Sequence, residues 1–214
     1  MIPTNTAIQN LLVIDSQVKD SQSLVSGIGT DTAVLILDSK SDGLTQISAY
    51  LSNSAYAPLQ SIQIISHGSA GSLQLGSSTI TTSTLNSYTK QLTAIGSYLT
   101  ATGDILLYGC DVATGQSGLE FIKQFAALTS ADVAASNDIT GSAALGGDWQ
   151  LEANIGSIEV EMALYSPKLD NYNGTLTAAD ITSLSFNSGF SLDGLTPLLS
   201  FSVELSSNFS NTNS

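Results

Sequence analysis

The chain has 214 residues, 42% of them apolar and 11% charged, with only five basic residues and a net charge of −13. That length holds one domain of ordinary size plus an appendage, and the apolar share suffices for a core. The acidic balance argues against nucleic acid and anionic membrane surfaces as partners, and weakly favours basic ones. A single cysteine excludes an internal disulfide, and one histidine with one cysteine cannot furnish a usual zinc set. No metal or cofactor is expected, and no Asp-x-Asp-x-Asp calcium loop is present.

In chain order, Met1 to Asn10 has neither a basic nor an apolar stretch of the kind that opens a secretory signal. Leu11–Asp15 reads as a strand, Ser21–Ile28 as a helix, Ala33–Asp38 as a second strand and Gly43–Leu51 as an amphipathic helix. Ser61–His67 is a third strand. Gly71–Thr81 alternates around Gly76-Ser77-Ser78 and reads as a hairpin. Ser83–Thr100 carries Leu85, Tyr88, Leu92, Ile95 and Leu99 at helical spacing. Asp104–Gly109 is a fourth strand, Gln116–Thr129 a helix and Asp132–Ala135 a fifth strand. Alternating strands and helices of this kind predict a parallel sheet covered on both faces, with ligands at the carboxyl ends of the strands. Beyond Gly141 the pattern changes. Trp149–Ala153 and Ser157–Leu164 read as two strands of a hairpin or sheet edge. Trp149 is expected in the core or against the Gly-rich loop before it. No run approaches the roughly 18 apolar residues of a membrane span. The domain division is 1–10 as an N-terminal extension, 11–164 as the main domain, 165–175 as a linker, and 176–214 as a β-rich extension or the start of a repeat module with a disordered tail.

His67 and Cys110, the sole residues of their types, each stand where an apolar strand gives way to a loop, each beside a glycine. A right-handed crossover through the hairpin and helix between them brings the two strands side by side. Imidazole is the base best matched to thiol chemistry near neutral pH, so the pair is a candidate nucleophile and base. The backbone N–H groups of Gly68 and Cys110 would form an oxyanion hole. The plain alternative is a buried structural cysteine and a loop-capping histidine.

The blocks Ile64-Ile65-Ser66-His67-Gly68 and Leu106-Leu107-Tyr108-Gly109-Cys110 resemble the two signature blocks of the caspase-like (clan CD) cysteine peptidases. More closely, the stretch from about Leu11 to Val160 resembles the bacterial domain DUF4347. The matching text is Ser66 to Gly71, Leu106 to Ala113 and Thr140 to Trp149. The resemblance implies a caspase-like three-layer α/β sandwich with a mostly parallel sheet, His67 as base and Cys110 as nucleophile. It further implies a place in a large repeat-containing protein of the bacterial cell surface or exterior, exported without a signal visible in this chain.

In the caspase-like strand order 2-1-3-4-5, the loops after strands one and five flank the pocket for the residue before the scissile bond. Here they carry Asp15 and the Ser136-Asn137-Asp138 stretch, with no cation. The expected substrate is a polypeptide with Arg or Lys at that position, in some cases the chain itself, and Lys168 is the best-placed internal site. Asp15 is equally suited to a cap or turn, Asp138 is better suited to a solvated loop than to the pocket, and Asp111 is suited to pointing away or capping the turn after Cys110. The competing functional readings are an inactive caspase-like binding or structural module in a large adhesin, and a thiol acyltransferase.

Overall fold

The computed structural model describes residues 7–25, 28–54, 56, 58–164, 169 and 172–177. Strand β1 (Asn10–Asp15) passes through a single turn of helix, α1 (Ser21–Leu24), into β2 (Thr32–Leu37). Helix α2 (Gly43–Ser52) leads to β3 (Leu59–Ile65). A small antiparallel sheet follows, made of β4 (Gly68–Ser69), β5 (Ser72–Leu75) and β6 (Ser78–Thr81). Helix α3 (Thr89–Gly96), β7 (Leu99–Tyr108), α4 (Gly115–Thr129), β8 (Asp132–Ala135) and β9 (Ala153–Ile155) complete the described elements. The main sheet has six strands in the order β2-β1-β3-β7-β8-β9. All its neighbours are parallel except β8 and β9. Its five parallel strands follow the expected 2-1-3-4-5 order.

The strands are apolar on both faces because both faces are covered. On one face Leu11, Val13, Ile62, Ile64, Ile105 and Leu107 meet Leu44, Ile47 and Leu51 of α2, Leu92 and Ile95 of α3, and Phe121, Ile122 and Phe125 of α4. On the other, Leu12, Ile14, Ile65, Leu106, Tyr108 and Ala134 lie under Val18, Leu24, Leu164, Tyr172 and Leu176, with Trp149, Ile158 and Val160 packed alongside. The result is a three-layer α/β sandwich. Its second outer layer is mostly extended chain rather than helix. Trp149 belongs to this layer, with its ring 6.3 Å from Tyr108 and 5.5 Å from Tyr172.

That outer layer corrects two expectations. The strands expected over Trp149–Ala153 and Ser157–Leu164 reduce to β9, antiparallel on β8; residues 157–164 form no strand. They cross the face of the sheet, where no ladder can satisfy their backbone, so side chains rising from the strands do it. Asp132 on β8 accepts from the Ser157 N–H at 3.2 Å. Asp104 on β7 accepts from the N–H groups of Glu159 and Val160 at 3.0 and 3.2 Å. On β3, the Gln63 amide donates to the Glu161 carbonyl at 2.9 Å and accepts from the Ala163 N–H at 2.7 Å. The anchors advance strand by strand, so residues 157–164 form a strap across the sheet. Burial, with a smaller contribution from the Asp132 charge, pushes the Asp104 carboxyl above its usual range.

The second correction concerns boundaries. Tyr172 and Leu176 are buried in the sheet's second core, so the packed chain runs past the expected linker to Thr177. At the other end Ile8 packs on the first core, and Gln9 bonds to Asp31 and Gln60, inside the expected extension. Lys168 and the residues from Ala178 onward, including the expected β-rich extension and tail, lie outside the described residues. The chain divides into two units, Met1–Ala178 and Ala179–Ser214. The helix expected to reach Thr100 ends at Gly96, and Leu99 instead pairs with Leu59. At Gly96 a side chain would run into the Thr129 carbonyl at the end of α4, so this close approach needs glycine. Among the described residues no helix is long and apolar enough to cross a membrane.

Replacing Gln63 by leucine keeps the volume but strands the Glu161 carbonyl and the Ala163 N–H under the strap. It is expected to cost about 1–3 kcal/mol of stability, measured by urea unfolding. An unchanged midpoint and slope would mean the strap does not depend on this anchor.

Candidate active site

The pairing of β3 with β7 ends in the register Ile65 opposite Tyr108. One further bond, Ser66 N–H to the Tyr108 carbonyl at 3.0 Å, carries the ladder past the strand end. His67 and Cys110 therefore stand level, each two residues beyond the same row. Their loops touch at Gly68, where a Cβ would lie 2.9 Å from the Cys110 carbonyl oxygen and against Val112. Beyond Cys110 the chain turns sharply, with Asp111 at φ +60°, a left-handed conformation that Asp tolerates better than most side chains. Asp111 is pinned there by its N–H to the Asp138 carbonyl at 2.8 Å, and it caps the turn by accepting from the Thr114 hydroxyl at 3.2 Å.

The His67 ring is half-buried, with Nε2 3.2 Å from the Gln17 carbonyl. A carbonyl only accepts, so Nε2 is the donor in this contact. Nδ1 is buried and has no hydrogen-bond partner. Asp15, fully buried at the end of β1, holds the loop that supplies the Gln17 carbonyl. Its Oδ1 accepts from the Gln17 N–H at 2.9 Å and its Oδ2 from the Gly76 N–H at 2.6 Å.

The Cys110 thiol is fully buried. Its sulfur accepts from the Thr140 N–H at 3.2 Å and the Thr177 hydroxyl at 3.3 Å, and lies 3.4 Å from the Thr140 carbonyl. No hydrogen bond joins it to His67, whose Nδ1 is unpaired. Burial, with help from the Asp111 charge, pushes the thiol above its ordinary value; hydrogen bonds from Thr177, Thr140 and Leu176 act in the opposite direction and do not cancel it. At rest the group is a protonated thiol.

The two N–H groups expected to form an oxyanion hole converge on one oxygen. Gly68 N–H lies 2.9 Å and Cys110 N–H 3.4 Å from the carbonyl of Leu176. Leu176 is held there by isolated bridges and backbone hydrogen bonds. Its N–H donates to the Thr140 carbonyl at 2.9 Å, the Ser142 N–H donates to the Gly174 carbonyl at 2.8 Å, and Gly141 and Thr175 form an antiparallel bridge. Thr177 then forms a parallel bridge with Gly68.

The expected pocket residues are placed less simply. Ser136, Asn137 and Asp138 border the loop after Cys110, since the Ser136 carbonyl accepts from Ala113 and the Asp138 carbonyl from Asp111. Ser136 is buried and its hydroxyl turns to Asp138, while Asn137 is exposed and donates its N–H to Glu152 at 2.9 Å. Asp138 is exposed; partial burial first, then the charges of Glu152 and Asp148, raise its carboxyl above the usual range. Asp15 is fully buried with both oxygens accepting from backbone donors, whereas Asp138 is exposed. Among the described residues, Asp138 with Asp148 and Glu152, and Asp104 with Asp132 and Glu159, each bring three carboxylate oxygens within 4.8 Å. These are the positions where a divalent cation would find ligands.

Four contributors escape the sequence reading: Gln17, Thr140, Leu176 and Thr177. Thr140 opens one of the blocks that carry the family resemblance. The other three act through a backbone carbonyl or a lone hydroxyl, which leave no residue-type signature.

Residues 11–176 match the family described as Domain of unknown function (DUF4347). No curated protein matches the chain.

Because burial favours the neutral thiol, thiolate forms only above the ordinary cysteine range of about 8.5. Iodoacetamide labelling of the folded chain, followed by intact mass, should be slow at neutral pH and rise with a midpoint above that value, whereas the urea-unfolded chain should label at the ordinary rate. A midpoint below it would contradict the buried, protonated thiol.

Proposed function

The chain belongs to the DUF4347 family over most of its length, and we propose that it is a caspase-like cysteine endopeptidase that uses Cys110 and His67. One observation carries the reading: the Gly68 and Cys110 N–H groups bind a single peptide carbonyl beside the only thiol, at register-matched strand ends. Two converging backbone donors at a nucleophile are what a tetrahedral oxyanion requires. In the reaction His67 takes the thiol proton at Nδ1, held in position by the Gln17 carbonyl on Nε2. The sulfur then attacks the carbonyl carbon while Gly68 and Cys110 hold the developing oxyanion. The imidazolium gives its proton to the departing amine, and water releases the acyl group from the sulfur. The Thr140 N–H and the Thr177 hydroxyl, both aimed at the sulfur, favour the thiolate once the base has acted.

The preference for Arg or Lys expected from Asp15 and Asp138 loses its first support, because Asp15 is occupied by Gln17 and Gly76. Within this reading the domain processes a larger surface or secreted parent polypeptide, a setting consistent with its acidic, basic-poor composition. The second reading, an inactive caspase-like module, draws on the sealed thiol: Cys110 is fully buried and its ionisation is disfavoured.

The two readings separate in an assay with a pool of fluorogenic peptides at roughly millimolar concentration, high enough to compete with a tethered segment. Cys110→Ala should abolish turnover, and His67→Ala should lower it by about 10²–10⁴-fold. Equal turnover by the parent and Cys110→Ala would leave the inactive module.

A further inference from the structure

We infer that the peptide bond between Leu176 and Thr177 is this domain's own scissile bond. The inference rests on the peptidase reading and names the substrate of that same site. Four observations meet at this bond. The Leu176 carbonyl is the oxygen held by both Gly68 and Cys110. The residue after it, Thr177, places its hydroxyl 3.3 Å from the nucleophilic sulfur, so the leaving side of the bond also lies at the thiol. The residues before it pair with 140–142 through one antiparallel bridge and two backbone hydrogen bonds, the way an extended peptide adds to a sheet edge when it is recognised through its backbone. Finally, the Leu176 side chain is fully buried in an apolar site with Leu12, Ile14, Val18, Leu24 and Tyr108. The chain therefore fills the backbone track, the oxyanion hole and a side-chain pocket at once.

The pocket decides what the site accepts. The cluster is built of aliphatic and aromatic side chains, so it takes leucine, and a lysine or arginine there would carry its charge into an apolar core. The position also coincides with the end of the unit: the family match stops at Leu176 and the first unit of the chain at Ala178. Cleavage proceeds as a balanced acyl transfer. The bond from the Cys110 sulfur to the Leu176 carbonyl carbon forms, and the bond from that carbon to the Thr177 nitrogen breaks. The thiol proton passes through His67 to the Thr177 amine. Water then hydrolyses the thioester, restoring the thiol and leaving a carboxylate on Leu176. The products are a domain ending at Leu176 and a fragment beginning at Thr177.

The test uses the full chain, followed by intact mass and N-terminal sequencing, alongside the peptide assay. The parent should release a fragment beginning at Thr177, and Cys110→Ala should release none. Leu176→Met should still cut, and Leu176→Lys should cut at least about tenfold more slowly. Should the lysine variant fail to fold, the N-terminus of the parent's fragment decides alone. A Cys110-dependent cut elsewhere, such as after Lys168, overturns the inference and keeps the peptidase. Peptide turnover by a chain that stays intact does the same. An intact chain with no peptide turnover overturns both, and cleavage of Leu176→Lys at the parental rate overturns the role given to the pocket.

Discussion

The parallel, in-register pairing of β3 with β7 is the constraint on which the site depends. It ends with Ile65 opposite Tyr108, so equal offsets bring His67 and Cys110 level without either residue contributing to the alignment. The same pairing presses the two loops together, and Gly68 is the residue that lets them touch. That contact aims two N–H groups at one point. A shift of one residue in this register would turn the imidazole and the thiol to opposite faces of the sheet. The deeply buried strands on either side of this pair, with aliphatic residues on both faces, keep that register fixed.

The two faces of the sheet are covered by different means. Three helices close one face through ordinary apolar packing. The other is closed by a chain that crosses the strands, and a crossing chain brings unpaired backbone groups with it. Buried polar residues in the strands answer that need: Gln63 and Asp104 are almost wholly buried, yet each is matched to a specific backbone partner. They would look like errors in a hydrophobic strand read by itself. They direct the strap across the sheet toward Leu164, and the segment that reaches the thiol follows.

Much of this is legible in the sequence, and the reasons differ element by element. The five parallel strands are readable because fully buried strands are continuous apolar runs, and β8 has the limits its sequence predicts. Helix α4 is readable from one apolar face. The candidate pair of His67 and Cys110 stands out because each residue type occurs once. The strap escapes because Ser157–Leu164 has strand-like composition, while its actual partners, Gln63 and Asp104, lie far away in sequence. The roles of Asp15 and Leu176 depend on where backbone atoms of distant loops arrive. A carboxylate that binds the Gly76 N–H looks the same in sequence as one that faces a substrate.

The occupied site has a consequence best expressed as a concentration. A segment tethered to the domain it binds is present at an effective concentration of order millimolar, whatever the amount of protein in solution. Its ordering is already part of the folded state, so it does not bear the entropic cost that a free peptide meets on binding. If the site takes a partner polypeptide, as proposed above, that partner would compete with this resident segment. On the peptidase reading proposed above, access to the thiol would depend on departure of residues 174–177 more than on how well a visitor fits, and the domain would be selective for its own chain before it could act on another.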